Sequence, residues 1–207
     1  MIITDPAKIE EQSLKIITEE LGGRVLEAEN VAVIKRVIHC TADFEYADKL
    51  YFSPGAAARA LSALEQSATI ITDTNMALAG INKAAAGALG VKVKCFIADE
   101  DVAIEAKKRG CTRAMVAMQK AASLYPNAII AVGNAPTALL ELAELIRTGA
   151  YLPSLVIAVP VGFVNVVEAK EEIIDTKIPC IAARGRKGGS NVAAAIVNAL
   201  MYSLYTR

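Results

Sequence analysis

Five short runs of mostly β-branched residues alternate with helical segments, and this alternation constrains the fold more than any other feature of the chain. Strands separated by helices form βαβ units, in which a parallel sheet is covered by helices on both faces. We therefore predict an α/β fold with a mainly parallel five-stranded sheet in a Rossmann-like three-layer sandwich. The five runs are ATIIT before Asp73, VKVKCFIA before Asp99, NAIIAV before Gly133, SLVIAV before Pro160 and PCIAA before Arg184.

Residues typical of helix ends frame the other segments. Asp5 before Pro6 predicts an N-cap and a first helical turn, and Gly22 ends the helix that follows. After Asn30 the apolar spacing favours a helix through Ile38, although the β-branched residues there favour a strand. Further helices are predicted over 58–66, in a small-residue stretch through 88, on both sides of Gly110, over 137–146 and 166–174, and from 190 onward.

The composition predicts one domain over residues 1–207. Hydrophobic residues make up 54% of the chain and charged residues 21%, which excludes a disordered protein. Lys and Arg together number 22 and Asp and Glu 22, so the net charge is zero and we expect no nucleic-acid partner and no attraction to an anionic membrane. No apolar run reaches the roughly 18 residues of a membrane span.

The cysteines and the first residues indicate a cytoplasmic protein. Cys40, Cys95, Cys111 and Cys180 form no C-x-x-C pair, and the apolar neighbours of Cys95 and Cys180 predict buried, reduced thiols. The initial MIITDPAKIEEQ does not resemble a secretory signal, because it lacks a basic stretch followed by an apolar one.

Polar residues and glycines follow the predicted strands. Ligands of parallel α/β sheets bind at the carboxyl ends of the strands, so we expect a site formed by 72–75, Asp99, 133–137, 160–163 and 184–190. The last of these, RGRKGGS, matches no nucleotide-binding fingerprint. Its cations and N–H groups suit an anion at the head of the last helix, but a solvated basic turn would have the same sequence.

Two further segments also have two explanations. In GNAPTAL, Asn134, Pro136 and Thr137 either bind a ligand or cap a helix. After Gly110, Thr112 opens a helix, and Arg113 either holds a carboxylate or is an ordinary surface arginine.

His39 is the one histidine in the sequence. One histidine cannot build a multi-histidine zinc site, and no carboxylates surround it at ligand spacing, so we expect no catalytic metal. The imidazole is either a buried packing residue or a general acid or base. Arg36, Thr41 and Asp43 place polar groups near it, which favours a functional role.

Six segments together resemble the precorrin-8X methylmutase family, whose members in the anaerobic pathway are called cobalt-precorrin-8 methylmutases. The similarity follows the order of nearly the whole chain, and the combination of GNAPTAL, PVGF and GRKGGS is specific. The segments are RVIHCTADFEYAD (36–48), TDTNMALAGI (72–81), GCTRAM (110–115), GNAPTAL (133–139), PVGFVNVVEAKE (160–171) and RGRKGGSNVAAAIVNAL (184–200).

The resemblance implies an isomerase of cobalamin biosynthesis. In the family's reaction a methyl group moves from C-11 to C-12 of a tetrapyrrole, which gives hydrogenobyrinic acid or, with cobalt bound, cobyrinic acid. The resemblance further implies a corrinoid tetrapyrrole as substrate, no cofactor, and a homodimer with active sites near the subunit interface. The sequence leaves open whether the substrate carries cobalt.

The resemblance also assigns roles to residues of this chain. It implies that His39 is catalytic, as a general acid that protonates the conjugated system during a 1,5-sigmatropic methyl shift. Basic residues would hold the carboxylates of the macrocycle, while Ala79, Gly80 and Phe163 face the ring. The residues expected to bind substrate are Ser13, Arg36, Thr41, Asp43, Thr112, Arg113, Asn134, Thr137, Arg184, Lys187 and Gly188.

One segment departs from the family pattern, and two other functions compete. After PVGFV the family has small residues close to GAAESK, whereas this chain has Asn165, Val166 and Val167. A tetrapyrrole carrier or chelatase-like protein would use the same pocket without isomerising its ligand. A nucleotide-dependent α/β enzyme is the third hypothesis, and the missing fingerprints argue against it.

Overall fold

A computed structural model describes residues 2–205 and has the predicted alternation of helices and strands. Its helices are α1 (Pro6–Leu21), α2 (Val31–Thr41), α3 (Tyr46–Lys49), α4 (Ala56–Glu65), α5 (Asn75–Gly80), α6 (Lys83–Ala88), α7 (Glu100–Arg109), α8 (Arg113–Leu124), α9 (Pro136–Arg147), α10 (Val166–Asp175) and α11 (Ser190–Tyr202). Its strands are β1 (Leu50–Phe52), β2 (Ile70–Thr72), β3 (Val93–Cys95), β4 (Ile129–Val132), β5 (Leu155–Ala158) and β6 (Cys180–Ala183).

The strands form one sheet in the order β1-β6-β5-β4-β2-β3. The five predicted strands are all present and run parallel to one another. The prediction of five strands was nevertheless wrong, because β1 adds a sixth strand at one edge. It runs antiparallel to β6, with Leu50 opposite Ala183. Three residues are too few to show a strand's alternation, and for this reason the sequence did not predict β1.

The sheet has a hydrophobic core on each face, as a three-layer sandwich requires. Alternate residues of β4 point to opposite sides: Ile129 belongs to the core that the sheet forms with α1 to α6 and α11, and Ile130 belongs to the core formed with α7 to α10. Within the first layer α11 packs closely on α5, since a Cβ on Gly80 would lie 2.9 Å from the Cβ of Ala194. The α/β class and the three layers are therefore confirmed.

Several local predictions are confirmed and two need adjustment. The Asp5 carboxylate accepts hydrogen bonds from the N–H groups of Ala7 and Lys8 and so caps α1, and the segment after Asn30 is helical. The small-residue stretch is two helices, because Asn82 caps α6 with its side chain. Cys180 is buried as predicted, whereas Cys95 is half-buried. No helix of the described residues is long and apolar enough to cross a membrane.

Candidate active site at the carboxyl edge of the sheet

The carboxyl ends of the parallel strands meet the N-terminus of α11. Thr74, after β2, has its hydroxyl 2.8 Å from that of Ser190, the first residue of α11. After β4, Gly133 lies so close to α11 that a Cβ there would be 2.6 Å from the Cα of Ser190. The N–H of Gly189 donates to the carbonyl of Val159, after β5, at 2.8 Å. The predicted loops therefore converge on one helix end.

A buried carboxylate holds the loop after β4. Asp73 is 1% exposed, and its two oxygens accept the N–H groups of Gly133, Asn134 and Ala135 at 2.8 to 2.9 Å. Burial raises the pKa of Asp73, while the three N–H donors oppose that shift. The loop's N–H groups are thus turned toward Asp73, and the side chain of Asn134 is left exposed to solvent.

A buried lysine holds the loop 184–189. The Nζ of Lys170, on α10, donates to the carbonyls of Gly185 and Lys187 at 2.8 and 2.9 Å, and the N–H of Gly162 donates to the carbonyl of Arg186 at 3.2 Å. Within the described part of the chain, the N–H groups of 185–188 donate no hydrogen bond. These N–H groups are therefore available to an anion at the head of α11.

Gly188 is required by close contact between this loop and β5. A Cβ on Gly188 would lie 2.1 Å from the carbonyl oxygen of Val159 and 2.8 Å from that of Pro160. Both obstacles are backbone atoms, so no side-chain rotation relieves them.

His39 lies in the last turn of α2, whose end contacts the start of α11 through the neighbouring Cys40. Its side chain is exposed and has no hydrogen bond or ion pair among residues 2–205. The thiol of the next residue, Cys40, is 3.7 Å from the carbonyl oxygen of Asn191 in α11. The structure therefore does not bury His39 as a packing residue but leaves it accessible at the carboxyl edge.

Asp43 and Lys187 pair with each other just beyond His39. The Nζ of Lys187 lies 2.6 Å from Oδ2 of Asp43 and 3.1 Å from Oε1 of Glu45. The hydrogen bond from Lys187 lowers the pKa of Asp43, and its bonds to the two carboxylates raise the pKa of Lys187. Thr41 links this pair to the helix, since its hydroxyl donates to the carbonyl of Val37 and accepts the N–H of Asp43.

Thr112 and Thr137 also meet, at the neighbouring starts of α8 and α9. Their hydroxyls are 2.9 Å apart, and that of Thr112 also accepts the N–H of Met115 and so caps α8. Arg113 follows Thr112, is exposed, and forms no ion pair within residues 2–205. Capping therefore explains Thr112, whereas Arg113 is available to bind an anion.

Three other predicted residues are engaged within the chain. Arg36 pairs with Glu10 at 2.7 Å and lies over the ring of Tyr202. The hydroxyl of Ser13 donates to the carbonyl of Ile9 within α1. Arg184 is 3.4 Å from a Glu171 oxygen and is stacked on Tyr51. The structure does not place Arg36 and Ser13 in the contacts that hold the loops together.

The segment after β5 carries an exposed apolar surface. Phe163 and Val164 are 82% and 76% exposed, and Val161 is half exposed. The guanidinium of Arg186 lies 5.4 Å from the centre of the Phe163 ring. Together they offer an apolar face next to a cation. Val166, at the departure from the family pattern, is instead buried in α10.

Two residues important to the site were not among the predicted site residues. Asp73 was noted only as part of a polar segment, and Lys170 lay within the 160–171 segment without a role. Residues 2–205 contain no group of three or more His, Cys, Asp or Glu placed to hold a metal ion. Cations, free N–H groups and an accessible imidazole at the carboxyl edge are typical of α/β proteins that bind organic anions.

Comparison with known proteins identifies the family. The precorrin-8X methylmutase family model matches residues 8–203. Cobalt-precorrin-8 methylmutase of Salmonella typhimurium is 45% identical, over 98% of this chain and 97% of the relative. That of Leptospira interrogans is 44% identical, over 93% and 91%. The crystal structure of precorrin-8x methyl mutase from Thermus thermophilus superposes with a TM-score of 0.87 at 39% identity, over 93% of this chain and 95% of that one. The chain belongs to the precorrin-8X methylmutase family, whose members are isomerases of cobalamin biosynthesis.

Proposed function

We propose that this chain catalyses the migration of a methyl group from C-11 to C-12 of precorrin-8 or its cobalt form. The observation that carries the proposal is a family match over residues 8–203 that includes an accessible His39. Because the imidazole has no partner among the described residues, it is available to a bound macrocycle. A buried histidine would have argued against this role.

In the proposed mechanism His39 acts as a general acid. It donates a proton to the conjugated ring system, the methyl group migrates with its bonding electron pair, and loss of a proton elsewhere gives an isomer of the substrate. General acid catalysis typically contributes about 10² to 10⁴ in rate. The remaining acceleration would come from holding the macrocycle in one conformation.

The substrate carboxylates are proposed to bind first where cations and N–H groups are unpaired. Arg113, the amide of Asn134 and the backbone at 185–188 satisfy this condition. Arg184, Lys187 and Arg36 already pair with carboxylates of this chain, so they contribute positive charge beside the ligand. Phe163 offers the macrocycle an apolar face.

A homodimer remains part of the proposal, although one reason for expecting it is weakened. The last helix, α11, is apolar around much of its circumference, and contacts within this chain with α2, α4, α5 and the sheet already bury it, so it does not by itself require a partner subunit. The exposed Phe163 and Val164 beside the site support an interface there. Sedimentation would test the assembly. A single domain over 1–207 and a cytoplasmic location also stay predictions.

Incubation with precorrin-8 and cobalt-precorrin-8 in separate reactions tests the function. An isomerase gives a product of unchanged mass and a changed absorption spectrum, because moving the methyl group alters the conjugation. A carrier or chelatase-like protein returns the ligand with its methyl group at C-11. Comparing the two substrates shows whether the cobalt form is preferred, and no change with either substrate would contradict the proposal.

A further inference from the structure

Lys170 is a buried cation without a counter-ion. Its side chain is 0% exposed, and none of the ion pairs among residues 2–205 includes it. Burying an ammonium group without an opposite charge is unfavourable, so fully buried lysines are rare unless they are paired. Burial lowers the pKa of Lys170 to about 8, although the neighbouring Glu171 opposes the shift. Burial of this ammonium group therefore lowers the free energy of unfolding, and its hydrogen bonds must serve another purpose.

Those hydrogen bonds go to the site loop 184–189. Lys170 donates to the carbonyls of Gly185 and Lys187, and the carbonyl between them, that of Arg186, accepts from Gly162. The next residue of α10, Glu171, contacts the side chain of Arg184. Three consecutive carbonyls are thus turned toward α10 and the segment after β5, which leaves the N–H groups of 185–188 free.

The same loop reaches the helix that carries His39. Lys187 is the residue whose carbonyl Lys170 holds, and its own Nζ binds Asp43 at 2.6 Å. The N–H of Asp43 in turn donates to the hydroxyl of Thr41, which is bonded to the last turn of α2. A continuous set of hydrogen bonds therefore joins Lys170 to the end of α2.

We propose that Lys170 is a positioning residue that fixes the loop 184–189 and, through the Lys187–Asp43 pair, the end of α2 that bears His39. The part of this inference that concerns the reaction rests on the proposed function. The part that concerns the loop does not.

Limited proteolysis tests the loop independently of activity. Trypsin cuts after lysine and arginine, and the loop contains Arg184, Arg186 and Lys187. In Lys170→Met, which keeps an unbranched apolar side chain one atom shorter than lysine and donates no hydrogen bond, cleavage in the loop relative to the rest of the chain should rise at least tenfold. Lys177→Met is the matched control, because Lys177 follows the same helix and its side chain is 79% exposed. Loop cleavage at the wild-type rate in folded Lys170→Met would overturn the proposal.

Kinetics then test the positioning of His39. Lys170→Met should lower kcat at least tenfold with a smaller change in KM. Lys187→Met should lower kcat by a smaller factor in the Lys170→Met variant than in the wild type. Lys170→Gln, which retains an amide donor one bond shorter, should recover part of kcat and replaces the Met variant if that one fails to fold. Unchanged kcat with a loosened loop would overturn the positioning role. A wild-type chain inactive on both corrinoids would instead contradict the proposed function, and proteolysis would still decide the role of Lys170 in the loop.

Discussion

Replacing Gly188 by alanine should damage both the fold and the site, because the added methyl group meets backbone. The Cβ would lie 2.1 Å from the carbonyl oxygen of Val159, whereas carbon and oxygen normally approach to about 3.3 Å. The loop must therefore move by about 1 Å. Such a movement breaks the hydrogen bond from Gly189 to Val159, which is 2.8 Å long.

The size of the effect follows from these two losses. Forcing a methyl group into a packed region typically costs about 1 to 3 kcal/mol, and one backbone hydrogen bond contributes about 1 kcal/mol. The free energy of unfolding should thus fall by about 2 to 4 kcal/mol, which lowers the Tm of a chain of this length on the order of 10 °C. Product affinity should fall as well, since the free N–H groups of 185–188 move with the loop.

The same substitution at Gly87 is the control. Gly87 lies in α6, and a Cβ there would have no atom within 4 Å. Alanine is the better helix former, so Gly87→Ala should raise stability by up to about 1 kcal/mol. Thermal unfolding by calorimetry measures both variants. If Gly188→Ala melts within about 2 °C of the wild type, the close contact with β5 does not govern this loop.

Three further predictions concern charged groups. As the pH rises from 8 to 10.5, the free energy of unfolding of the wild type should increase relative to that of Lys170→Met by up to about 3 kcal/mol. The reason is that folded Lys170 has a pKa of about 8, so the unfolded chain binds more protons than the folded one in this range. A difference in denaturant unfolding that does not change with pH would exclude this. Arg113→Ala should weaken product binding on the order of tenfold in absorbance titrations, and unchanged affinity would place the carboxylate contact elsewhere. Lys187→Met should raise the pKa of Asp43 in NMR titrations, and an unmoved pKa would mean that the Lys187 hydrogen bond does not lower it.

The fold was largely predictable because its parallel strands are buried on both faces. Such strands are continuous β-branched runs, as at 129–132, and the helices between them begin with clear caps such as Thr112. The edge strand β1 lacked that signal, since it has only three residues, none of them β-branched. Helix α11 is buried on most of its sides, and sequence alone does not tell such an interior helix from one at a subunit interface.

The sequence predicted which segments form the site more successfully than it predicted which residues contact each other. The segments around His39, Asn134 and Gly188 do converge at the carboxyl edge, but the pairing of Lys187 with Asp43 joins residues 144 positions apart, which no local pattern reveals. Lys170 did carry a signal that was missed. It occupies an apolar position of α10, in register with the buried residues Val166 and Ile173, where a lysine is unexpected.

Turnover by His39→Ala is the most direct test of the central claim, that this chain isomerises a corrinoid by proton donation from His39. The variant should fold, because the exposed side chain supports no other residue among 2–205. It should bind product with wild-type affinity, yet turn over precorrin-8 or cobalt-precorrin-8 about 10² to 10⁴ times more slowly. Lys35→Ala, one turn earlier on α2, is the control and should retain wild-type turnover. A folded His39→Ala protein with a near wild-type rate would contradict the claim.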